Sequence, residues 1–246
     1  MKNLIRLVSL RADINIYNNL LKIMKTEIKK MNNKECDEEY DDLDINIILI
    51  SGKRRCGKDT CATILNEFLS NNDNIIAYNY SFAHRVKEFC SDMYNLELQR
   101  LFDDNEYKEQ HRHLLIKHGM EEREKDKYIW VKLAFEHILN NIKDKFKINR
   151  SYKNKKYIIL ISDFRFLSEV DFLINKLGAL SIYKIRVNST EEERNKRGWV
   201  YNEKIDTSLS ECELDIYDNW DLIIDNNSTK NELNQILSNF GNEIIN

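Results

Sequence analysis

Residues 45–60 read INIILISGKRRCGKDT, and no other stretch narrows the possible folds as far. A continuous apolar run (45–51) predicts a strand buried on both faces, as in the middle of a parallel sheet. Gly52 to Lys58 then has the spacing G-x-x-x-x-G-K, and a helix-like stretch from Asp59 to Ser70 follows. Strand, glycine loop and helix in that order form an anion cradle. The loop N–H groups and the positive end of the helix face the same point, and the lysine adds a mobile charge. Lys53, Arg54 and Arg55 crowd three more cations into the loop with Cys56 and Gly57. Like charges that close repel unless an anion offsets them. Asp59 stands where this motif usually has a hydroxyl, with Thr60 next; a carboxylate there suits a hard cation such as magnesium, directly or through water.

The rest of the chain repeats the alternation. Strands are expected at 74–82, 157–162, 180–187 and 220–225, with helices at 167–177 and 229–240 and several charged helical segments over 83–145. In that last region Val86, Phe89, Met93, Leu98 and Leu101 are the expected buried positions, and 147–156 reads as a basic surface loop. Such alternation predicts a largely parallel α/β sheet. Residues 4–31 have helical apolar spacing and 35–44 are strongly acidic, so 1–44 reads as an appendage and 45–246 as the domain.

Three further clusters carry anion chemistry. YIILISDFR ends a buried run in Ser162, Asp163 and Arg165, and the carboxyl ends of strands are where open α/β sheets bind ligands. Asp163 is a candidate magnesium partner and Arg165 a candidate bridge between two phosphates. EEERNKRGWV (191–200) places Arg194 and Arg197 three apart on one helix face, inside a candidate lid over about 189–205 that closes on a nucleotide. Lys87, Arg100, Lys108, Arg112 and Arg123 form a basic set between them, suited to a substrate with several anionic groups.

Composition excludes other classes. The formal net charge of −3 argues against a nucleic-acid binder. Five cysteines without a CxxC pair argue against zinc and disulfide frameworks. No apolar run has a membrane-spanning length of about 20 residues. The expectation is a cytoplasmic monomer acting on a small molecule.

The order of the motifs resembles the animal-type phosphomevalonate kinase family, which is similar in kind to nucleoside monophosphate kinases. The resemblance rests on SGKRRCGKD, Lys87–Glu88, LELQRLFDDNEYKEQHR, GMEEREKD, SDFR, IRV, RGWV and SECELD, in sequence over 46–237. It implies a P-loop NTPase fold with a five-stranded parallel sheet of order 2-3-1-4-5, helices on both faces and a mobile lid. It implies ATP- and Mg2+-dependent conversion of (R)-5-phosphomevalonate to 5-diphosphomevalonate in the mevalonate route to isoprenoids. By residue, it assigns catalysis to Lys53, Lys58, Asp59 and Arg165. ATP falls to the Gly52–Thr60 loop, Arg194, Arg197 and Asn227; the acceptor to Lys87, Arg112, Arg123, Arg165, Arg186 and Asn226; magnesium to Asp59 and Asp163. The sequence departs from the family pattern at Phe166, where a second arginine is usual, at Cys56, usually serine, and at Asn227, usually histidine. Phe166 is expected to restrict the acceptor side. The chain ends Ile244, Ile245, Asn246, without the peroxisomal tripeptide of vertebrate members. A deoxynucleoside or nucleoside monophosphate kinase is the alternative enzyme, and a non-catalytic nucleotide-binding regulatory module the alternative of another class.

Overall fold

The computed structural model describes residues 44–149, 154–177 and 181–245. The expected appendage over 1–44 therefore lies outside the described residues except for Asp44, as do positions 150–153 of the basic loop. The chain runs β1 (Ile45–Ser51), α1 (Lys58–Ser70), β2 (Ile75–Tyr80), α2 (Ala83–Tyr94), α3 (Leu98–Asp103), α4 (Asn105–Lys125) and α5 (Ile129–Ile148). It continues through β3 (Lys156–Ile161), α6 (Leu167–Leu177), β4 (Ser181–Asn188), α7 (Glu191–Lys196), α8 (Glu203–Asp206) and α9 (Leu209–Cys212). A 3-10 turn (Glu213–Ile216), β5 (Leu222–Asp225) and α10 (Lys230–Ile245) complete it.

The five strands form one parallel sheet in the order β2-β3-β1-β4-β5. The central pair, β1 and β3, runs in register from Ile45↔Tyr157 to Leu49↔Ile161. Side chains alternate across a strand, and here both parities are buried. Ile48, Ile50, Ile158 and Leu160 join Leu65, Leu69, Leu237 and Phe240 of α1 and α10 in one cluster. Ile47, Leu49, Ile159 and Ile161 are equally inaccessible on the opposite side. That explains why β1 and β3 read as unbroken apolar runs; each fully buried Ile or Leu contributes about 1.5–3 kcal/mol. Gly241 lets α10 close on α1, since a Cβ there would lie 2.6 Å from the Phe68 ring and 3.3 Å from Leu65.

Several boundaries differ from the sequence expectation for local reasons. β2 stops at Tyr80 rather than at 82, because Asp163 takes the N–H groups of Phe82 and Ala83 (2.8 and 2.7 Å) and starts α2 there. β3 stops before Ser162, whose hydroxyl turns to Asp59 (2.9 Å). β5 begins at Leu222, since Trp220 folds back to donate to the Tyr217 carbonyl (2.7 Å). α5 extends to Ile148, into the stretch expected to be loop. Val86 and Leu101 are buried as expected, but Met93 is 52% exposed on the last turn of α2.

Candidate active site

The carboxyl ends of β1, β2 and β3 open onto a cavity of about 700 Å³, within the range of roughly 300–1,000 Å³ typical of small-molecule sites. Its floor is the glycine loop. Gly52 passes so close to β4 that a Cβ would meet the Val187 carbonyl at 2.2 Å. Gly57 (φ +101°) has no room either, with the Asn226 amide 2.3 Å from where its Cβ would be. Arg55 also has positive φ (61°). The loop carbonyls are held by cations and an amide. Lys58 Nζ donates to Lys53 O (2.9 Å) and Arg194 Nε to Arg54 O (2.8 Å). Arg197 Nη1 (3.1 Å) and Asn226 Nδ2 (2.9 Å) both donate to Cys56 O. With its acceptors taken, the loop and the first turn of α1 present N–H groups, the arrangement that binds phosphate.

Arg54, Arg55, Lys58 and Arg197 line the cavity on the loop side, Lys87, Lys108, Arg112 and Arg123 line the other, and Arg165 lies between them. Nine cations thus face five carboxylates (Asp59, Glu109, Asp163, Glu169 and Glu211) in a chain whose net charge is −3. Burial lowers the Lys58 pKa below its ordinary value, and an approaching phosphate would favour the ammonium form. Burial, with Lys108 adding repulsion, brings Lys87 down to about 8. Lys108 is lowered as well, by burial first and by Arg112 second.

The carboxylates hold the arginines in place. Glu211, buried on α9, pairs with Arg165 (2.6 Å) and accepts from Arg54 N (3.0 Å). Glu169, 1% exposed, accepts from the backbone N–H groups of Arg165 and Phe166 (2.8 and 3.1 Å) and from the Arg123 guanidinium. Burial pushes the Glu169 carboxyl up to about 7 against the pull of Arg123. Glu109 grips Arg112 at two atoms (2.9 and 2.6 Å). Asp206 grips Arg54 at two (3.0 and 2.7 Å). Phe166 does not obstruct an arginine: its ring lies 3.7 Å under the Arg123 guanidinium and supports it.

Several residues expected at the site are held by protein partners, most of them outside the cavity lining. Arg194 is outside the cavity lining, stacked on Trp199 at 3.9 Å and spent on the Arg54 carbonyl. Lys53 turns away to Asp215 and the Glu211 carbonyl (2.7 Å). Arg186 pairs with Asp215 (2.8 Å) and reaches Ser51 Oγ (3.2 Å), again outside the lining. Asn226 and Asn227 act as fasteners: Asn226 ties down the loop and Arg197, and Asn227 Oδ1 accepts from Thr190 N (2.8 Å) where the lid segment begins. Arg100 is exposed and pairs with Glu97 and Asp104. Asp163 is spent on the start of α2, through Ser81 Oγ (2.7 Å) and the two N–H groups already described. Asp59 keeps an exposed carboxylate in the cavity. Sequence reasoning did not single out Glu109, Glu169 or Asp206. Glu109 lies three residues from Arg112 on one helix, a spacing that could have flagged it; Glu169 lies 46 residues from Arg123 and Asp206 152 residues from Arg54, and neither pairing gives a local signal.

Residues 50–179, from the end of β1 past α6, match the phosphomevalonate kinase family. The chain belongs to that family. The phosphomevalonate kinase of Drosophila melanogaster is 29% identical over 183 residues, covering 74% of this chain and 88% of that protein, which places the chain with the animal-type enzymes. Among solved structures, a sugar kinase from Janibacter is similar over 78% of this chain and 91% of its own (10% identity, TM-score 0.39). The APS kinase of Mycobacterium tuberculosis, in complex with AMPPNP and APS, is similar over 83% and 97% (10% identity, TM-score 0.35). Both are too distant to bear on the site. The family match stops before the lid segment and before α9, so the placement of Arg197 and Glu211 rests on the geometry alone.

Proposed function

We propose that this phosphomevalonate kinase family member transfers the γ-phosphoryl group of ATP to (R)-5-phosphomevalonate, releasing ADP and 5-diphosphomevalonate. The observation that carries the reading is the cavity itself: a glycine loop for a polyphosphate faces a second set of cations, Lys87, Lys108, Arg112 and Arg123. ATP occupies the first set, and an acceptor with a phosphate and a carboxylate needs the second. An oxygen of the acceptor phosphate attacks the γ-phosphorus, a P–O bond forms, and the bond to the bridging oxygen breaks with its electron pair leaving on ADP.

Lys58 and the loop N–H groups hold the β- and γ-phosphates, and Arg197 approaches from the lid side. Arg165, oriented by Glu211 between the two cation sets, offsets charge on the group in transit; such preorganised electrostatic stabilisation is the main contribution to phosphoryl transfer. Arg112 and Arg123 take the acceptor anions in planar, two-pronged fashion. The donors near the loop suit magnesium, which uses one or two carboxylates plus phosphate oxygens and waters. Asp59, with Ser162 beside it, would hold the ion, which supplies neutralisation of phosphate charge. The same reading treats 45–246 as the catalytic unit and 189–205 as the segment that closes over ATP, in a cytoplasmic monomer. Steady-state ADP release with 5-phosphomevalonate and with each nucleoside monophosphate tests it: turnover confined to the nucleotides would replace this acceptor with the alternative one.

A further inference from the structure

Glu109 sits at the junction of the two cation sets. Its Oε2 accepts from Arg112 Nε (2.9 Å) and from Arg54 Nη1 (2.8 Å), and its Oε1 from Arg112 Nη2 (2.6 Å). Arg112 belongs to the acceptor half, on the same helix α4 as Glu109. Arg54 belongs to the glycine loop, and its guanidinium, 7% exposed, also holds the lid region through Asp206 and the Val200 carbonyl (3.0 Å). Asp206 in turn accepts from Trp199 Nε1 (3.1 Å) and from Asn202 N (2.8 Å). One carboxylate is thus divided between an acceptor-side arginine and the arginine that ties loop to lid.

We infer that Glu109 is a positioning residue that couples acceptor binding to nucleotide binding. With the acceptor site empty, Arg112 draws two of the three bonds to Glu109. An acceptor phosphate or carboxylate that takes up the Arg112 fork competes for it directly. Glu109 then bonds Arg54 undivided, and the Arg54–Asp206 pair and the lid segment fastened to it tighten around the loop. Linkage makes the effect reciprocal: ATP, by ordering Arg54 and the lid, favours the arrangement in which Arg112 faces the acceptor. The pair is charge-assisted and half-buried, where hydrogen-bond networks reinforce one another. Burial would raise the Glu109 pKa, but the Arg112 bonds and the charges of Arg112 and Arg54 outweigh it, so the carboxylate stays ionised.

The inference rests on the proposed acceptor, and its test separates the two. Titration calorimetry gives the affinity of a hydrolysis-resistant ATP analogue with and without saturating 5-phosphomevalonate, and the ratio is the coupling factor. Wild-type turnover of 5-phosphomevalonate reports the acceptor assignment separately and does not enter that ratio. The wild type is expected to show a factor in the range of about 5–150. Glu109→Gln, which keeps the shape but not the charge, is expected to bring it within about twofold of unity. Glu109→Asp, a methylene shorter, reaches at most one of the two arginines and is expected to do the same, which covers the case of a poorly folded Gln variant. A carboxylate that merely braced α4 would change either affinity without changing the ratio. A wild-type ratio near unity, or a ratio retained in the folded variants, overturns the inference.

Discussion

Glu211→Ala should be among the most damaging single changes in the domain, and its size follows from the geometry. The carboxylate is 3% exposed on its side chain, lies 2.6 Å from Arg165, which is 19% exposed, and accepts the Arg54 N–H at 3.0 Å. At an effective dielectric of about 20 the pair attracts by roughly 6 kcal/mol, most of it offset by the desolvation of both ions. Removing one partner leaves the buried guanidinium without its paired carboxylate, with the Asp163 charge still near it, a loss of about 3–5 kcal/mol. For an assembly of this size that corresponds to a fall in Tm of roughly 6–20 °C, or a shift of about 2 M in urea midpoint at an m-value near 2 kcal/mol/M. Glu211→Gln preserves the bond from Arg54 N and isolates the charge, so it should lose a smaller part. Urea unfolding followed by tryptophan fluorescence measures both. ATP should restore more stability to Glu211→Ala than to the wild type, because the freed Arg165 then has a phosphate to pair with. A loss below about 1 kcal/mol for Glu211→Ala, in the range of an exposed ion pair, would refute the claim that Glu211 holds Arg165 in a buried site.

Lys58→Ala should lower kcat by about 10²–10³, the value of one electrostatic stabiliser worth roughly 3–4 kcal/mol, with little change in melting temperature; retention of a tenth of the rate would contradict its role. Phe166→Leu removes the ring under Arg123, a contact worth about 0.5–2 kcal/mol, and should raise the acceptor KM about 2- to 30-fold with kcat nearly unchanged. Phe166→Arg should raise that KM too, because it sets one guanidinium against another; a lowered KM would show that the ring only occupies an acceptor contact. Because Lys87 is depressed from 10.5 to about 8, the free enzyme loses that charge as pH rises through about 8, and kcat/KM for the acceptor should fall there. Lys87→Arg should abolish that limb. The same shift makes unfolding stability rise between about pH 8 and 10.5, where the unfolded chain still holds the proton that the folded chain has released.

The sheet was readable because β1 and β3 are buried on both faces, so their apolar runs are unbroken and the glycine loop marks the turn between strand and helix. The end of β2 was not, because Asp163 sets it through contacts that a window of sequence does not contain; the start of β5 is set by the local Trp220–Tyr217 bond, which leaves no trace in the apolar pattern. At the site, sequence placed the glycine loop, Lys58, Arg112, Arg123 and Arg165 around one cavity. Its cations were found by type, and Asp59 and Asp163 with them, whereas Glu109, Glu169 and Glu211 were missed, since an anion that orients an arginine is recognisable only by its partner. Arg194 and Arg197 illustrate the limit: their spacing predicted one helix face, but the helix ends at Lys196, and Arg194 stacks on Trp199 while Arg197, just past the end, reaches the cavity. Phe166 was expected to restrict the acceptor side; in the fold it lines the cavity with its ring beneath Arg123, a contact the sequence does not signal.

Phosphorus NMR of the product formed from ATP and 5-phosphomevalonate addresses the central claim most directly. Transfer to the acceptor phosphate predicts that its single resonance gives way to two mutually coupled diphosphate resonances, in step with ADP and dependent on Lys58. Two uncoupled monophosphate resonances would mean transfer to a hydroxyl instead, and an unchanged acceptor beside a nucleoside monophosphate that is consumed would contradict the account of the cavity.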